Sequence, residues 1–275
     1  MSPAGPVRGR LELLRSRVRN RARARHGRNR AGHRVLSAFA ESHPDAVFIE
    51  IGANDGKRED HLAPFIRSRG WTGVMVEPVP EVFERLRTNY EDLDGVALEN
   101  VAISDHDGHV PFHVLATRAE GGAPPIEGAD MFGSLSPAAV EAIAEAFPEQ
   151  PRRIETIEVP CLSFESLCRK HRVERLDVLA VDTEGHDYEI VRQVDFDRLR
   201  PRVLVYEYCH LPREQRDEST ARLDGLGYLT MDEELDTWAV DVRPDDELTR
   251  IWKELCEQGP AVSEEDLRQW YEAAR

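Results

Sequence analysis

Short apolar runs alternate with longer amphipathic stretches through most of this chain, a rhythm that predicts strands alternating with helices. Val47-Phe48-Ile49-Glu50-Ile51 is apolar without polar alternation. That pattern predicts a strand buried on both faces, as in a parallel sheet. Gly52 and Gly56 follow it and allow the backbone to turn sharply and approach a ligand. A helix is predicted over 58–69, stopped by Gly70, and then a strand over 73–77. The next helix, over 80–93, starts at Pro80 and carries Val82, Phe83, Leu86, Tyr90 and Leu93 on one face. A third strand is predicted over 96–103. Three strands with two intervening helices form half of a doubly wound sheet, so the fold class is α/β with helices on both faces.

Residues 105–135 break the rhythm. Asp107-Gly108 signals a tight turn, Val110, Phe112 and Val114 alternate like an exposed strand, and Gly121-Gly122-Ala123-Pro124-Pro125 is a loop. Ser136-Pro137 opens a helix with Val140, Ile143, Ala144 and Phe147 on one face. A strand over 154–159 and a helix over 164–171 follow. The alternation then resumes: strand 177–181 ending at Asp182, helix 188–194, strand 202–206 ending at Glu207-Tyr208-Cys209-His210, and helix 215–226 stopped by Gly227. Two short strands, over 228–231 and 237–242, flank the acidic turn Asp232-Glu233-Glu234 and are expected to pair antiparallel. The tail predicts two helices packed on the body, one with Leu248, Ile251, Trp252 and Leu255, the other capped near Ser263 with Leu267, Trp270 and Tyr271. These elements divide the chain into an extension (1–34), a main domain (35–245, with an insertion over about 105–150 that includes a lid) and C-terminal helices (246–275).

Charge separates the extension from the rest. Of 36 basic and 52 acidic residues, the first 34 positions hold 11 arginines and one acid, Glu12, which leaves 25 basic against 51 acidic residues elsewhere. The acidic body disfavours a nucleic-acid partner, whose phosphates it repels. The basic arm suits an acidic partner or the protein's own acidic body. Cys161, Cys168, Cys209 and Cys256 form no CxxC pair, which predicts free thiols in a reducing cytoplasm. No run approaches the ~18 apolar residues a spanning helix needs, and the N-terminus has no apolar core for a secretory signal.

The turn after the first strand is where chemistry enters. Dinucleotide enzymes carry G-x-G-x-x-G there. Here Asn54 and Asp55 lie between Gly52 and Gly56. Glu50 and Asp55 repel a pyrophosphate but suit a cationic sulfonium with an amino-acid end, such as S-adenosylmethionine. Glu77 ends the second strand, where an acid can accept both ribose hydroxyls. Pro78, with Val79, suits one adenine face, and Ala102-Ile103-Ser104-Asp105 the other side. Asp182 and Glu184 end the fourth strand of the alternation, and Glu207 and His210 the fifth. Two mechanisms fit this set: His210 or His186 acts as general base, or Asp182, Glu184 and Glu207 hold a hard ion such as Mg2+. Asp130-Met131-Phe132-Gly133-Ser134-Leu135 is the candidate substrate lid.

These residues resemble a known family. Phe48 to Gly56, Val76-Glu77-Pro78, Asn100 to Asp105, and Val181-Asp182-Thr183-Glu184-Gly185-His186-Asp187-Tyr188-Glu189-Ile190-Val191 are similar to FkbM-type methyltransferases over roughly residues 45–232. The resemblance implies a class I Rossmann-like fold, with a mostly parallel seven-stranded sheet whose last strand is antiparallel. It implies S-adenosylmethionine as methyl donor and a small-molecule hydroxyl, on a sugar or natural-product scaffold, as acceptor. It places Gly52 and Asn54 at the methionine end, Glu77 on the ribose and Asp182 beside the methyl group. Asp182, His210 and Glu207 are thus the expected catalytic residues. Asn54 stands where the common class I turn has a middle glycine. Rival readings are N- or C-methylation, or a nucleoside-binding scaffold without catalysis. A homo-oligomer is compatible with all of them.

Overall fold

Strand β1 (Val47–Ile51) lies near the middle of a seven-stranded sheet, paired in parallel with β2 (Thr72–Val76) on one side and β8 (Val178–Val181) on the other. The protein is described by a computed structural model covering residues 30–58, 60–116, 130, 132–146 and 153–260. Beyond β2 lies β3 (Val96–Glu99); beyond β8 lies β9 (Val203–Glu207), both parallel to their neighbours. Strand β11 (Asp236–Asp241) runs antiparallel to β9, and β10 (Tyr228–Glu233) closes the edge antiparallel to β11. The resulting order is β3-β2-β1-β8-β9-β11-β10, with the last strand of the chain reversed, as expected. Connections run outward in both directions from β1 and β8, so a crevice opens at the carboxyl ends of those two strands.

Alternate side chains of β1 serve two cores. Phe48 packs with α1 (Ala31–Ser42), α2 (Ala63–Arg69), α3 (Pro80–Tyr90) and α8 (Glu247–Gln258) on one face. Ile49 and Ile51 pack with α5 (Phe164–Lys170), α6 (Asp187–Gln193) and α7 (Arg213–Gly225) on the other. Glu50 is the polar exception in the strand, and it points to the face where ligand space opens. In α8, Trp252 is fully buried and its indole N–H donates to the Leu229 carbonyl at 2.8 Å, which fastens this tail helix to β10. The second predicted tail helix lies outside the described residues, as do the arm over 1–29 and the glycine-proline loop at 121–125. Among the described residues no helix is long and apolar enough to cross a membrane.

Four elements differ from expectation. The helix predicted from Arg58 begins only at Ala63, because Asp60 Oδ1 accepts the N–H groups of Leu62 and Ala63, both at 2.7 Å, and starts the turn there. The single strand predicted over 96–103 is two strands. At the break, the Asn100 amide donates to the carbonyls of Glu77 (2.8 Å) and Pro78 (3.1 Å), and the chain leaves the main sheet. β4 (Ala102–Ser104) then joins β7 (Ile154–Ser163) in a second sheet of order β4-β7-β5-β6, with β5 (Gly108–Leu115) and β6 (Gly133–Ser134). The alternation of Val110, Phe112 and Val114 therefore marks a strand packed over the crevice rather than an exposed one: Val110 and Phe112 are buried. Finally, α1 starts at Ala31, inside the stretch (1–34) expected to be the extension. The Glu233 carboxylate holds its first turn by accepting the N–H groups of Ala31 and Gly32, each at 3.0 Å, and Arg30 pairs with Glu234 at 2.8 Å.

Candidate active site

The crevice is a cleft whose floor is the carboxyl ends of β1, β2 and β8 and whose cover is the second sheet with α4 (Pro137–Ala146) behind it. The turn after β1 is built from the backbone outward. The N–H groups of Gly52 and Ala53 both donate to the Val76 carbonyl, at 2.9 and 3.0 Å. Gly52 has φ +86°, and a Cβ there would lie 1.7 Å from the Asp182 carbonyl oxygen. Only glycine lets the two loops touch. Gly52→Ala is expected to cost about 2–6 kcal/mol of stability from left-handed strain plus overpacking, read as a lowered midpoint in urea unfolding. Asn54 tolerates φ +48° because its short amide bonds locally: its side-chain oxygen accepts the Asp55 N–H at 2.8 Å.

Glu77 stands at the head of β2 with 5% exposure. Its Oε2 accepts the Asn54 N–H at 3.1 Å and its Oε1 accepts the Val79 N–H at 2.8 Å. Each carboxylate oxygen retains a second lone pair for a ligand hydroxyl. Burial pushes its carboxyl up to about 7 despite those two backbone donors. Pro78, Val79, Val101, Ala102 and Ile103 form the apolar wall beside it. Burial, then Asp60 and Asp182, also drive Glu50 well above the ordinary carboxylate range.

At the other end, β8 delivers Asp182 and Glu184 to the cleft wall. Glu184 holds a left-handed backbone, φ +54°, next to Gly185 at φ +108°. Asp187, fully buried, fixes this turn by accepting from Thr183 N–H (3.2 Å), Thr183 Oγ1–H (3.0 Å) and Gly185 N–H (3.1 Å). The last acid of the D-x-E-G-x-D block is thus a structural staple, and burial together with Asp182 raises its carboxyl. Strained non-glycine backbone of this kind gathers at functional sites.

Of the residues expected to hold cofactor, Glu50, Gly52, Asn54, Glu77, Pro78, Ala102, Ile103 and Asp182 line the cleft. Asp55, Gly56 and Ser104 do not. Asp55 is spent on the turn, where its carboxylate accepts the N–H groups of Lys57 and Arg58 at 3.0 Å and pairs with the Arg58 guanidinium at 2.7 Å. Gly56 makes room for Tyr90, whose hydroxyl donates to the Gly56 carbonyl at 3.1 Å. Ser104 is buried in β4 beside Asp105. Glu207 and His210 also lie behind the wall, under Glu184. His186 does line the cleft, with its Nε2 buried and its basicity lowered by desolvation.

The lid segment reaches the site: Asp130, Phe132, Gly133 and Leu135 line the cleft, while Met131 is outside the described residues. Asp130 is clasped by Arg58 at 2.9 Å and by Arg85, and its carbonyl accepts from the Asn54 amide at 3.3 Å. Sequence reasoning missed Asp60, His61 and Asp236 on the wall. His61 bonds Asp236 across 3.1 Å, a pairing of residues 175 positions apart that no local pattern announces.

The model of the methyltransferase FkbM domain matches residues 50–259. The 2-O-methyltransferase NoeI of Sinorhizobium fredii (strain NBRC 101917 / NGR234) is 27% identical over 178 residues, 64% of this chain and 68% of that protein. Among solved structures, precorrin-6y C5,15-methyltransferase from Geobacter metallireducens GS-15 is 16% identical over 68% of this chain and 65% of its own, with a TM-score of 0.30. The fibrillarin/Nop5p complex is 12% identical over 72% of this chain and 73% of that one, with a TM-score of 0.37. The family match spans the sheet, the glycine turn and the Asp182 block together, and on it the chain belongs to the FkbM methyltransferases, a class I enzyme that uses S-adenosylmethionine.

Proposed function

We propose that this enzyme methylates a hydroxyl oxygen of a small molecule, with a sugar or a natural-product scaffold as acceptor. The observation that carries the reading is the polarity of the cleft. One end offers Glu77 between apolar walls, suited to a ribose and a base; the other offers Asp182 and Glu184, suited to a hydroxyl that must lose a proton. The named activity of NoeI, 2-O-methylation, supports oxygen as the target. In this reading Glu77 accepts the ribose hydroxyls, Gly52 and Asn54 hold the methionine end, and Glu50 faces its ammonium. S-adenosylmethionine supplies an activated methyl on a sulfonium, so the acceptor needs only alignment and deprotonation. Asp182 takes the hydroxyl proton as the oxygen forms its new bond to carbon, and the electron pair of the broken bond stays on sulfur. Phe112, Phe132 and Leu135 exclude water from above. The sequence-based alternative to a side-chain base is a divalent cation such as Mg2+ on Asp182, Glu184 and Glu207, whose carboxylate oxygens lie within 4.8 Å of one another. Four free cysteines suit the cytoplasm.

Thermal unfolding tests the cofactor half. S-adenosylhomocysteine at 100 times its Kd is expected to stabilise the fold by about 2.7 kcal/mol, and NAD to leave it unmoved. Equal shifts, or none with either, would remove the reading. A panel of sugars and hydroxylated scaffolds with methyl-labelled cofactor tests the acceptor half; label appearing on nitrogen or carbon alone would redirect it.

A further inference from the structure

Behind the cleft wall four side chains converge from two neighbouring strand ends. Asp182, Glu184 and Glu207 each bring a carboxylate oxygen within 4.8 Å of the others. The imidazole of His210 stands among them, its Nε2 2.8 Å from Glu184 Oε2 and 3.6 Å from Glu207 Oε2. Glu184 is 7% exposed, Glu207 is fully buried, and the His210 side chain is 6% exposed. Burying this much like charge is costly unless a cation neutralises it.

Hydrogen bonding does not explain the contact. Glu184 Oε2 and His210 Nε2 are buried, and neither makes a hydrogen bond despite their 2.8 Å approach. A salt-bridged imidazole would aim its N–H at the carboxylate. Two donor atoms that stand at hydrogen-bond distance without that alignment have the spacing of ligands sharing one ion, since bonds of about 2.0–2.2 Å place neighbouring ligand atoms roughly 3 Å apart. The backbone supports the convergence: Glu184 takes its left-handed φ of +54° to turn inward, and Gly185 lets His210 approach, a Cβ there lying 3.2 Å from His210 Cβ.

We infer that Glu184, Glu207 and His210 form a divalent-metal site beside Asp182, selective for an ion that accepts imidazole nitrogen, such as Mn2+, Fe2+ or Zn2+, rather than Mg2+. The nitrogen ligand is what separates this set from the all-oxygen one expected from the sequence, because Mg2+ favours oxygen and water while the later divalent ions accept imidazole. Two carboxylates and one imidazole leave positions open for a ligand on the cleft side, where Glu184 reaches the wall. An ion held there would orient an acceptor hydroxyl and lower its pKa, with Asp182 placed on the cleft wall to take the proton. This inference rests on the hydroxyl-methylation reading for its role, but not for its existence.

Mn2+ alone is the probe. The full chain, dialysed against EDTA and then freed of chelator, is titrated with Mn2+ and the free ion is followed by electron paramagnetic resonance. One Mn2+ per chain is expected, retained against a large excess of Mg2+. Pulsed resonance of the bound ion is expected to show coupling to one imidazole nitrogen, lost in His210→Gln. Glu184→Gln, nearly isosteric, is expected to weaken binding by about tenfold or more. No Mn2+ binding to the wild-type chain overturns the inference and leaves His210 as a packing neighbour of the two glutamates. Binding without nitrogen coupling, or equal displacement by equimolar Mg2+, overturns the ligand set. The metal-free wild type should still be stabilised by S-adenosylhomocysteine. Failure of that stabilisation, with Mn2+ bound, would sink the methylation reading while leaving the metal site standing.

Discussion

Asp182→Asn lowers turnover by about 10²–10⁴-fold, the usual worth of a positioned general base, and leaves S-adenosylhomocysteine affinity within a few-fold. The split is expected because the two halves of Asp182 do different things. Its backbone carbonyl is the atom against which Gly52 packs, and its N–H donates to the Ile51 carbonyl at 2.9 Å. Substitution leaves both intact, so the turn that receives the cofactor keeps its shape. In the proposed mechanism its carboxylate takes the acceptor's proton. The same carboxylate raises the proton affinity of Glu50 and Asp187, so removing it relieves buried like-charge repulsion. The variant should therefore melt higher than the wild type at neutral pH while turning over more slowly, a trade of activity for stability. Turnover is read with the acceptor the labelled panel returns, and affinity by calorimetry. A variant that keeps its turnover would strip Asp182 of its role; one that loses cofactor affinity in step would make it a binding residue.

Most of the sheet was legible because its strands are buried on both faces. Val47–Ile51, Val178–Val181 and Val203–Glu207 read as short apolar runs, each with an acid at or next to its carboxyl end. The second sheet was not legible. Asn100 gives no periodic signal, yet its amide ends β3 and redirects the chain, and the pairing of β5 with β7, from Gly108 to Cys161, bridges a stretch that contains β6 and α4. The site divides in the same way. Glu50 within β1, and Glu77 and Asp182 directly after β2 and β8, are found by position. Whether a strand-end residue faces ligand space or supports it depends on partners distant in sequence, so Asp55 and Gly56 in the turn, Glu207 at the end of β9 and His210 beyond it fall behind the wall. Conversely, His61 and Asp236 come together only through the sheet order, since β11 must insert beside β9 before Asp236 can stand opposite Glu207.

Glu77→Ala weakens cofactor binding by about 3–6 kcal/mol, the worth of two hydrogen bonds from ribose hydroxyls to a charged acceptor, which is roughly a 10²–10⁴-fold loss of affinity. The substitution also strands both the Asn54 and Val79 N–H groups, so Glu77→Gln is the sharper probe: it keeps the side chain's shape and one acceptor oxygen, leaves one of the two N–H groups facing its NH2, and removes the charge. The carboxyl is raised from its ordinary 4.5 to about 7 by burial, so the unliganded protein approaches neutral pH with this group half protonated. A raised folded-state value means the folded chain holds the proton more tightly than the unfolded one. The stability this contributes is complete below about pH 4.5 and is lost as pH rises past about 7, a span worth about 3 kcal/mol at roughly 1.4 kcal/mol per pH unit. Cofactor binding runs the opposite way. A neutral carboxyl offers one fewer acceptor to the two hydroxyls, so affinity should climb between pH 6 and pH 8 in the wild type and stay flat in Glu77→Gln. Calorimetric titration of S-adenosylhomocysteine across that range reads both. The same slope in the two proteins would place the titrating group elsewhere and take the ribose away from Glu77.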